Sequence, residues 1–488
     1  MTEDQKMTTD QELDAAVQIA KTAFEAAAEV APADRAQWLI AVADELDAHA
    51  EELVPLAMAQ TNLPEPRLRG ELARTTFQLR LLAGEIRTGE QLDARIDHAD
   101  PDWGMGPRPD LRRVNVPLGV VAVFGASNFP FAFSVLGGDT AAALAAGCAV
   151  VHKVHEAHAE LGTRTATVAA RALERAGAPA GLIVAVTGRR AGERLVEHPL
   201  VRAVGFTGST RVGRMLFDRA SSRPEPIPFY GELGSVNPVF VTETAWRERG
   251  PKILRDYLGS VTLGMGQFCT KPGLLFVPRL DAEATTVLAE AAGAASPMLS
   301  ESIASSFHAG LAAAREDGEL TELLSGGGSE LAPEPTVLAT TAAHVRGAPD
   351  ILRTEIFGPA SVIVEYESEA ELLALVELLE GQLTATIHDA EGEYHPELLA
   401  ALQAKSGRLI HNGWPTGVSV THAQQHGGPY PATTAPTTTS VGTAAISRFL
   451  RPVAYQDFPE GSLPAALRTD NPWSITRRVN GERQLAGR

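Results

Sequence analysis

Cysteine is almost missing from this 488-residue chain: Cys148 and Cys269 are its only two. Two thiols cannot build a disulfide scaffold, and no metal-type cysteine spacing is present, so neither a stapled secreted domain nor a metal centre is expected. Long apolar runs are missing too. The longest, TAAALAAGCAVV at 140–151, falls well short of the roughly 20 residues a bilayer crossing needs. The N-terminal MTEDQKMTTDQELD is acidic and lacks an apolar signal core, which together with the free thiols points to the cytoplasm. Basic runs are also lacking, and the net charge is −18. That balance argues against nucleic acid or an anionic membrane as a partner. It also means that an anionic substrate would be opposed by the global field, so its attraction must come from a local Arg, Lys or helix N-terminus.

What is present is length enough for about three domains and an ordinary apolar content of 44%. The first 90 residues read as helical: Leu13, Val17, Ala20 and Phe24 recur at helical spacing, and Asp34 with Gln37 resembles a capping box ahead of Trp38, Val42 and Leu46. Residues 97–117, DHADPDWGMGPRPDLRRVNVP, are punctuated by Pro and Gly and predict a protruding hairpin or arm of the kind that meets another subunit. From 118, short β-rich runs alternate with helical ones: LGVVAVFG, a helix near 138–147, AVVHK, a helix near 159–176, LIVAVTG, VRAVGFTG, a helix near 210–220, and IPFYGEL. Alternation of this kind predicts a parallel sheet covered by helices, with ligands at the carboxyl ends of its strands. A second unit follows, through VNPVFVT, a helix at 246–264, GLLFVP, a helix at 281–293, SVIVEYES, a helix at 369–380 and GRLIHNG. The stretch 427–443, rich in Pro and Thr, is expected to hug the surface as a loop, and the last 20 residues to form a tail or a packing segment.

Within the second unit, GSVTLGMGQFCTKPG at 259–273 places Cys269 among small and polar neighbours rather than in a hydrocarbon run. A thiol attacks as thiolate, and N–H groups at a glycine-flanked bend can stabilise both that anion and an oxyanion formed by its attack on a carbonyl. Cys148, in LAAGCAVV, has the flanks of a packing residue. GFTGST at 205–210 follows an apolar run and opens a helix, so Gly208 and Ser209 stand where a phosphate can meet a helix N-terminus; an ordinary strand–helix turn has the same look. Lys153 and Glu156 end another short strand, suited to ribose hydroxyls or merely to a solvated turn. Glu232, in YGELGSVNP, could take a proton from water if burial lifts its pKa, and would otherwise be a turn residue. Asn128, in GASNFPFAF, offers an amide for an oxyanion or for an Asx turn. Glu355 and Phe357, in RTEIFGPA, could meet a ribose and a flat ring, or simply form the turn before a strand.

Taken in order, Asn128-Phe129-Pro130, Lys153, GFTGST, Glu232-Leu233-Gly234, Gly266-Gln267 before Cys269, and EIFGP at 355–359 resemble the NAD(P)-dependent aldehyde dehydrogenase family over nearly the whole chain. GASNFPFAFSVLGGDTAAALAAGC, LGMGQFCTKPG and HGGPYPATT are most similar to the branch that includes α-ketoglutaric semialdehyde dehydrogenases and a bacterial NADP-linked fatty aldehyde dehydrogenase. The resemblance implies an α/β fold with two Rossmann-like units and a small bridging arm: residues 1–232 binding cofactor with 97–117 as oligomerisation arm, 233–440 carrying the catalysis, and 441–488 as C-terminal return and tail. It implies a homo-oligomer, dimer or tetramer, and no metal. It implies that the Cys269 thiolate attacks an aldehyde, that Asn128 and the Cys269 N–H hold the oxyanion, and that Glu232 activates water for thioester hydrolysis. Cofactor contacts would be Lys153, Glu156, Gly208, Ser209, Glu355 and Phe357; the substrate tunnel would draw on Phe131, Phe133, Trp414 and Thr416.

Three positions depart from the family pattern. Ser127 replaces a common Trp, Ser235 replaces a common Gly, and Glu156 puts a carboxylate where a 2′-phosphate would be repelled. Charge at Glu156 favours NAD, while branch resemblance favours NADP. The expected substrate is 2,5-dioxopentanoate (α-ketoglutarate semialdehyde), with an aliphatic or fatty aldehyde as the alternative. A CoA-acylating enzyme would not need Glu232, and a non-catalytic structural relative would not need the site residues intact.

Overall fold

The computed structural model describes residues 7–280 and 282–486. Four helices open the chain, Asp10–Ala26, Pro32–Ala48, Ala50–Thr61 and Glu65–Arg87. The capping box lies at the first of them, where Thr9 and Glu12 satisfy each other's backbone N–H groups. The box expected at Asp34 and Gln37 does not form. That helix starts at Pro32 behind Ala31, without a side-chain cap, because proline at the first position has no N–H to satisfy.

Helix Asp139–Ala146 and the N-terminal helices pack on a five-stranded sheet, ordered Ile183–Val186, Ala149–Lys153, Val120–Phe124, Val201–Thr207, Phe229–Glu232. Every neighbouring pair in it is parallel. Its strands are apolar almost throughout, as a sheet covered on both faces must be. The register sets Phe124 opposite Lys153 and Thr207 opposite Glu232. The residues singled out from the sequence therefore emerge at the same carboxyl edge.

The second sheet has seven strands: Thr321–Leu324, Thr336–Thr341, Ala360–Glu365, Leu274–Val277, Val239–Val241, Gln382–His388 and Ser406–His411. All pairs are parallel except the first. Separate apolar clusters fill its two faces, one around Phe240, Phe276 and Phe307 and the other around Tyr257, Val239 and Leu275.

A third, mixed sheet joins Leu450–Gln456, Leu111–Pro117, Arg95–Asp97, Arg477–Val479 and Glu482–Gln484. The 97–117 stretch thus contributes strands at its base and leaves Trp103 and Met105 exposed at its tip. Arg477–Val479 and Glu482–Gln484 also pair in this sheet, so this part of the last 20 residues is a packing segment. The 427–443 stretch departs from the expected surface loop: Gly427, Gly428, Thr433, Thr439 and Ser440 are buried. It passes between the two parallel-sheet units, and its backbone polar groups are absorbed there; Leu233 N–H, for example, donates to the Ala432 carbonyl.

Among the described residues, no helix is long and apolar enough to cross a membrane, and no group of three or more His, Cys, Asp or Glu side chains could hold a metal ion.

Candidate active site

Cys269 follows the helix Glu243–Thr262 and a tight turn, Leu263–Gly266. Gly264, Met265 and Gly266 all take left-handed backbone, with φ of 57°, 59° and 65°. Two of these positions suit glycine, while Met265 carries strain of order 1–3 kcal/mol. The turn is also squeezed: a Cβ on Gly266 would lie 2.1 Å from the Gly358 carbonyl oxygen in the EIFGP segment. On the other side, Asn237 Nδ2 donates to the Cys269 carbonyl at 2.8 Å and the Lys271 carbonyl at 2.9 Å. The backbone that presents the sulfur is therefore held from both sides.

Cys269 is partly exposed as a residue, and His426 Nε2 stands 3.7 Å from its Sγ. Burial, reinforced by Glu355 and Glu232, pushes the thiol up to about 12. Burial, with Arg408, Arg74 and Arg448 nearby, pushes His426 down to about 3. A neutral imidazole thus faces a protonated thiol, and burial holds both groups in their uncharged forms.

Asn128 sits in the turn after the strand Val120–Phe124. Glu71, on helix Glu65–Arg87, secures this turn by accepting from the Phe131 and Ala132 N–H groups at 2.8 and 2.9 Å. Asn128 Nδ2 donates to the Gln267 carbonyl at 2.9 Å, two residues before Cys269. An amide nitrogen has two protons, so this bond fixes the group and leaves a second donor for an oxyanion.

Glu232 ends the strand Phe229–Glu232 and bridges to Thr433 of the interior loop. Its Oε1 accepts from Arg448 Nη2 at 2.5 Å, while Arg448 Nη1 donates to Asp139 Oδ1 at 2.9 Å. Glu232 Oε2 is buried without a hydrogen-bond partner. Burial lifts the carboxyl to about 7 against the opposing pull of Arg448. A carboxylate poised there can serve as a base near neutral pH.

The apolar wall is built from Phe129, Phe133 and Phe268, with ring centroids 5.2 Å apart from Phe129 to each of the others. Arg67 lies over Phe129 and Phe268, and Arg74 over Phe133. Arg74 and Arg408 both sense the Cys269 sulfur. Arg74 Nη1 and Arg408 Nε are buried without hydrogen-bond partners. Of the expected tunnel residues, Phe133 reaches this wall and faces His426 at 6.1 Å. Phe131 does not: it packs in the core of the first unit. Trp414 stacks near Tyr257 and His388 behind the second sheet. Thr416 bonds Ser260 at 2.5 Å.

On the other flank, Lys153 Nζ pairs with Glu156 at 2.5 Å. Ser209 caps the 12-residue helix Thr210–Ser221 and is exposed with Gly208 at its N-terminus. Glu355, at the far side, stands against Gly234, where a Cβ would come within 2.6 Å of its carboxylate. Lys271 Nζ donates to the Ile356 and Ala360 carbonyls at 2.7 and 2.6 Å, tying the turn with Glu355 and half-buried Phe357 to the segment after Cys269. Ser235, in place of the common glycine, knits the crossover between units through Asn237 and Gln382.

A family model described as the aldehyde dehydrogenase family matches residues 2–431. The chain belongs to the aldehyde dehydrogenase family. It is 44% identical over 483 residues to an alpha-ketoglutaric semialdehyde dehydrogenase of Acinetobacter baylyi, spanning 96% of this chain and 91% of that one. It is 45% identical over 484 residues, with the same coverages, to alpha-ketoglutaric semialdehyde dehydrogenase 2 of Azospirillum brasilense. Among solved structures it is similar to an NAD-dependent aldehyde dehydrogenase from Sinorhizobium meliloti, with TM-score 0.75, 25% identity and coverages of 93% and 88%. An NADP-dependent glyceraldehyde-3-phosphate dehydrogenase from Bacillus halodurans shares the fold, with TM-score 0.76, 24% identity and coverages of 92% and 91%.

As an aldehyde dehydrogenase, the protein is an oxidoreductase acting on aldehydes with NAD or NADP. The residues present fit a dinucleotide. A helix N-terminus suits the pyrophosphate, Lys153 and Glu156 suit one ribose, and Glu355, given room by Gly234, suits the other. Sequence reasoning missed His426, Arg74, Arg408, Asp139 and Arg448. Two of them carried a signal, since Arg448 interrupts the apolar run AAISRFL and Asp139 is the one Asp, Glu, Lys or Arg between Arg113 and Lys153; the others looked like ordinary surface residues.

Proposed function

We propose that this aldehyde dehydrogenase oxidises 2,5-dioxopentanoate to the corresponding dicarboxylate. In this reading Cys269 gives up its proton to solvent and adds as thiolate to the aldehyde carbon, and the oxyanion rests on the Asn128 amide and the Cys269 N–H. The dinucleotide supplies the hydride acceptor when bound. Glu232 then takes a proton from water as its oxygen attacks the thioester, and the sulfur leaves. The observation that carries the mechanism is the Asn128 amide held on the Gln267 carbonyl, two residues before a partly exposed Cys269, with Glu232 Oε2 left without a partner. The substrate reading is supported by the names of the two relatives at 44 and 45% identity. Arg74 and Arg408 support it too, as local cations near the thiol in a protein of net charge −18.

Residues 1–232 are read as the cofactor-binding part, 233–440 as the catalytic part and 441–488 as the return, in a cytoplasmic homo-oligomer whose contacts include the arm tip at Met105, which is 95% exposed. Glu156 favours NAD over NADP. The test is absorbance at 340 nm with 2,5-dioxopentanoate or hexanal, NAD or NADP, and with or without CoA. Higher kcat/KM for the dioxo acid and turnover without CoA are expected. Equal or better use of hexanal overturns the substrate, and dependence on CoA overturns hydrolysis.

A further inference from the structure

Arg448 is the largest fully buried side chain of the protein, and both its partners are buried carboxylates, Asp139 and Glu232. Its remaining polar contact is Nε to Thr438 Oγ1 at 3.1 Å, and its guanidinium lies 5.5 Å from the Tyr230 ring centroid. One cation shared by two acids leaves the cluster one negative charge in excess when all three are ionised. Such a group is unfavourable as a stability device, because desolvation of three charges is not repaid by two ion pairs. A hydrocarbon triad would pack as well. Its geometry, by contrast, suits chemistry: the guanidinium grips one oxygen of Glu232 and leaves Oε2 without a partner.

We propose that Arg448 is the positioning residue for Glu232, holding the carboxylate by one oxygen and leaving the other free for the hydrolytic water, while Asp139 competes for the same cation and so limits the grip. The proposal rests on Glu232 as the hydrolytic base. The charged and titratable groups that face Glu232 are Arg448 from the turn Thr443–Phe449, Asp139 from the helix Asp139–Ala146, and Cys269 from the segment after Leu263–Gly266. Tyr230 and His426 face Arg448 itself.

Signs follow directly. Removing the cation leaves Glu232 beside Asp139 alone, so its proton is held more tightly and the acid limb of hydrolysis moves to higher pH. Removing the Asp139 charge frees the cation for Glu232, so the limb moves to lower pH.

The experiment compares wild type, Arg448→Met, Arg448→Lys and Asp139→Asn in two measurements. One is the amplitude of the pre-steady-state NAD(P)H burst with 2,5-dioxopentanoate, and the other is the pH profile of steady-state turnover. The expected result is a retained burst in every variant that folds. The limb should rise by about one pH unit or more in Arg448→Met, by less in Arg448→Lys, and fall in Asp139→Asn. If Arg448→Met does not fold, the opposite movement of Asp139→Asn and the small shift of Arg448→Lys still decide. Limbs that stay in place, or that move the same way in the arginine and aspartate variants, overturn the proposal, as does loss of the burst in folded Arg448→Lys. Absence of aldehyde oxidation in the wild type would instead overturn the function on which it rests.

Discussion

The two cysteines of this chain make a natural comparison, because burial treats them alike. Cys148 is pushed up to about 11 and Cys269 to about 12, in both cases chiefly by loss of solvent. Their surroundings differ. Cys148 sits in the apolar core of the first unit, where its thiol meets backbone groups alone, among them the Phe449 carbonyl at 3.5 Å. Cys269 has an imidazole beside the sulfur and the Asn128 amide fixed on the carbonyl two residues upstream, and it senses the Glu232 carboxylate. A high resting pKa therefore does not separate an inert thiol from a reactive one. What separates them is whether an oxyanion donor and a hydrolytic base stand beside the sulfur.

The sharpest way to break this contrast is to remove each sulfur in turn. Cys269→Ala should lower turnover at least about 1000-fold, whereas Cys148→Ala should keep near wild-type kcat and cost about 1 kcal/mol of stability, read by urea unfolding. Comparable activity in both variants would erase the distinction. Next come the neighbours that Cys148 lacks. Glu232→Gln should reduce steady turnover about 100- to 10,000-fold while preserving one equivalent of NAD(P)H in the burst; a lost burst would give Glu232 an earlier role. Asn128→Ala should slow the burst itself about 100- to 1000-fold, with little change in substrate binding. The mildest probe is iodoacetamide labelling of the cofactor-free protein. Only Cys269 should react, at a rate rising about tenfold per pH unit and without a plateau below pH 10, since a thiol pushed up to about 12 stays protonated throughout that range. A plateau near pH 8 would mean that His426 already holds the proton.

Much of the scaffold could be read from periodicity. The helices Asp139–Ala146, Ala159–Arg175 and Thr210–Ser221 and the strands between them lie where alternation put them, because apolar runs bounded by glycine are strong local signals. The stretch 427–443 misled for a physical reason. Pro and Thr usually mark solvated loops, but here threonine hydroxyls hydrogen-bond inside the protein, as Thr439 does to the His426 N–H and Thr434 to the Phe229 carbonyl. The motif positions around Cys269 were likewise visible, since each is a short local pattern. The partners of Arg74, Arg408, Asp139 and Arg448 were not, because they come from long-range contacts; the Arg448 and Asp139 pair spans 309 residues. The FPFAF aromatics part company for a related reason. Alternation along FPFAF cannot say which rings a turn will point outward, and the turn sends Phe129 and Phe133 to the wall while Phe131 goes to the core.

Arg448 lies two positions before the strand Leu450–Gln456, which is zipped to Leu111–Pro117 along its whole length. The grip on an interior acid is thus tethered to a peripheral ribbon, and whatever slackens that ribbon, whether clipping, truncation or a neighbour docking against it, will be felt as a wandering carboxylate at the centre of the molecule.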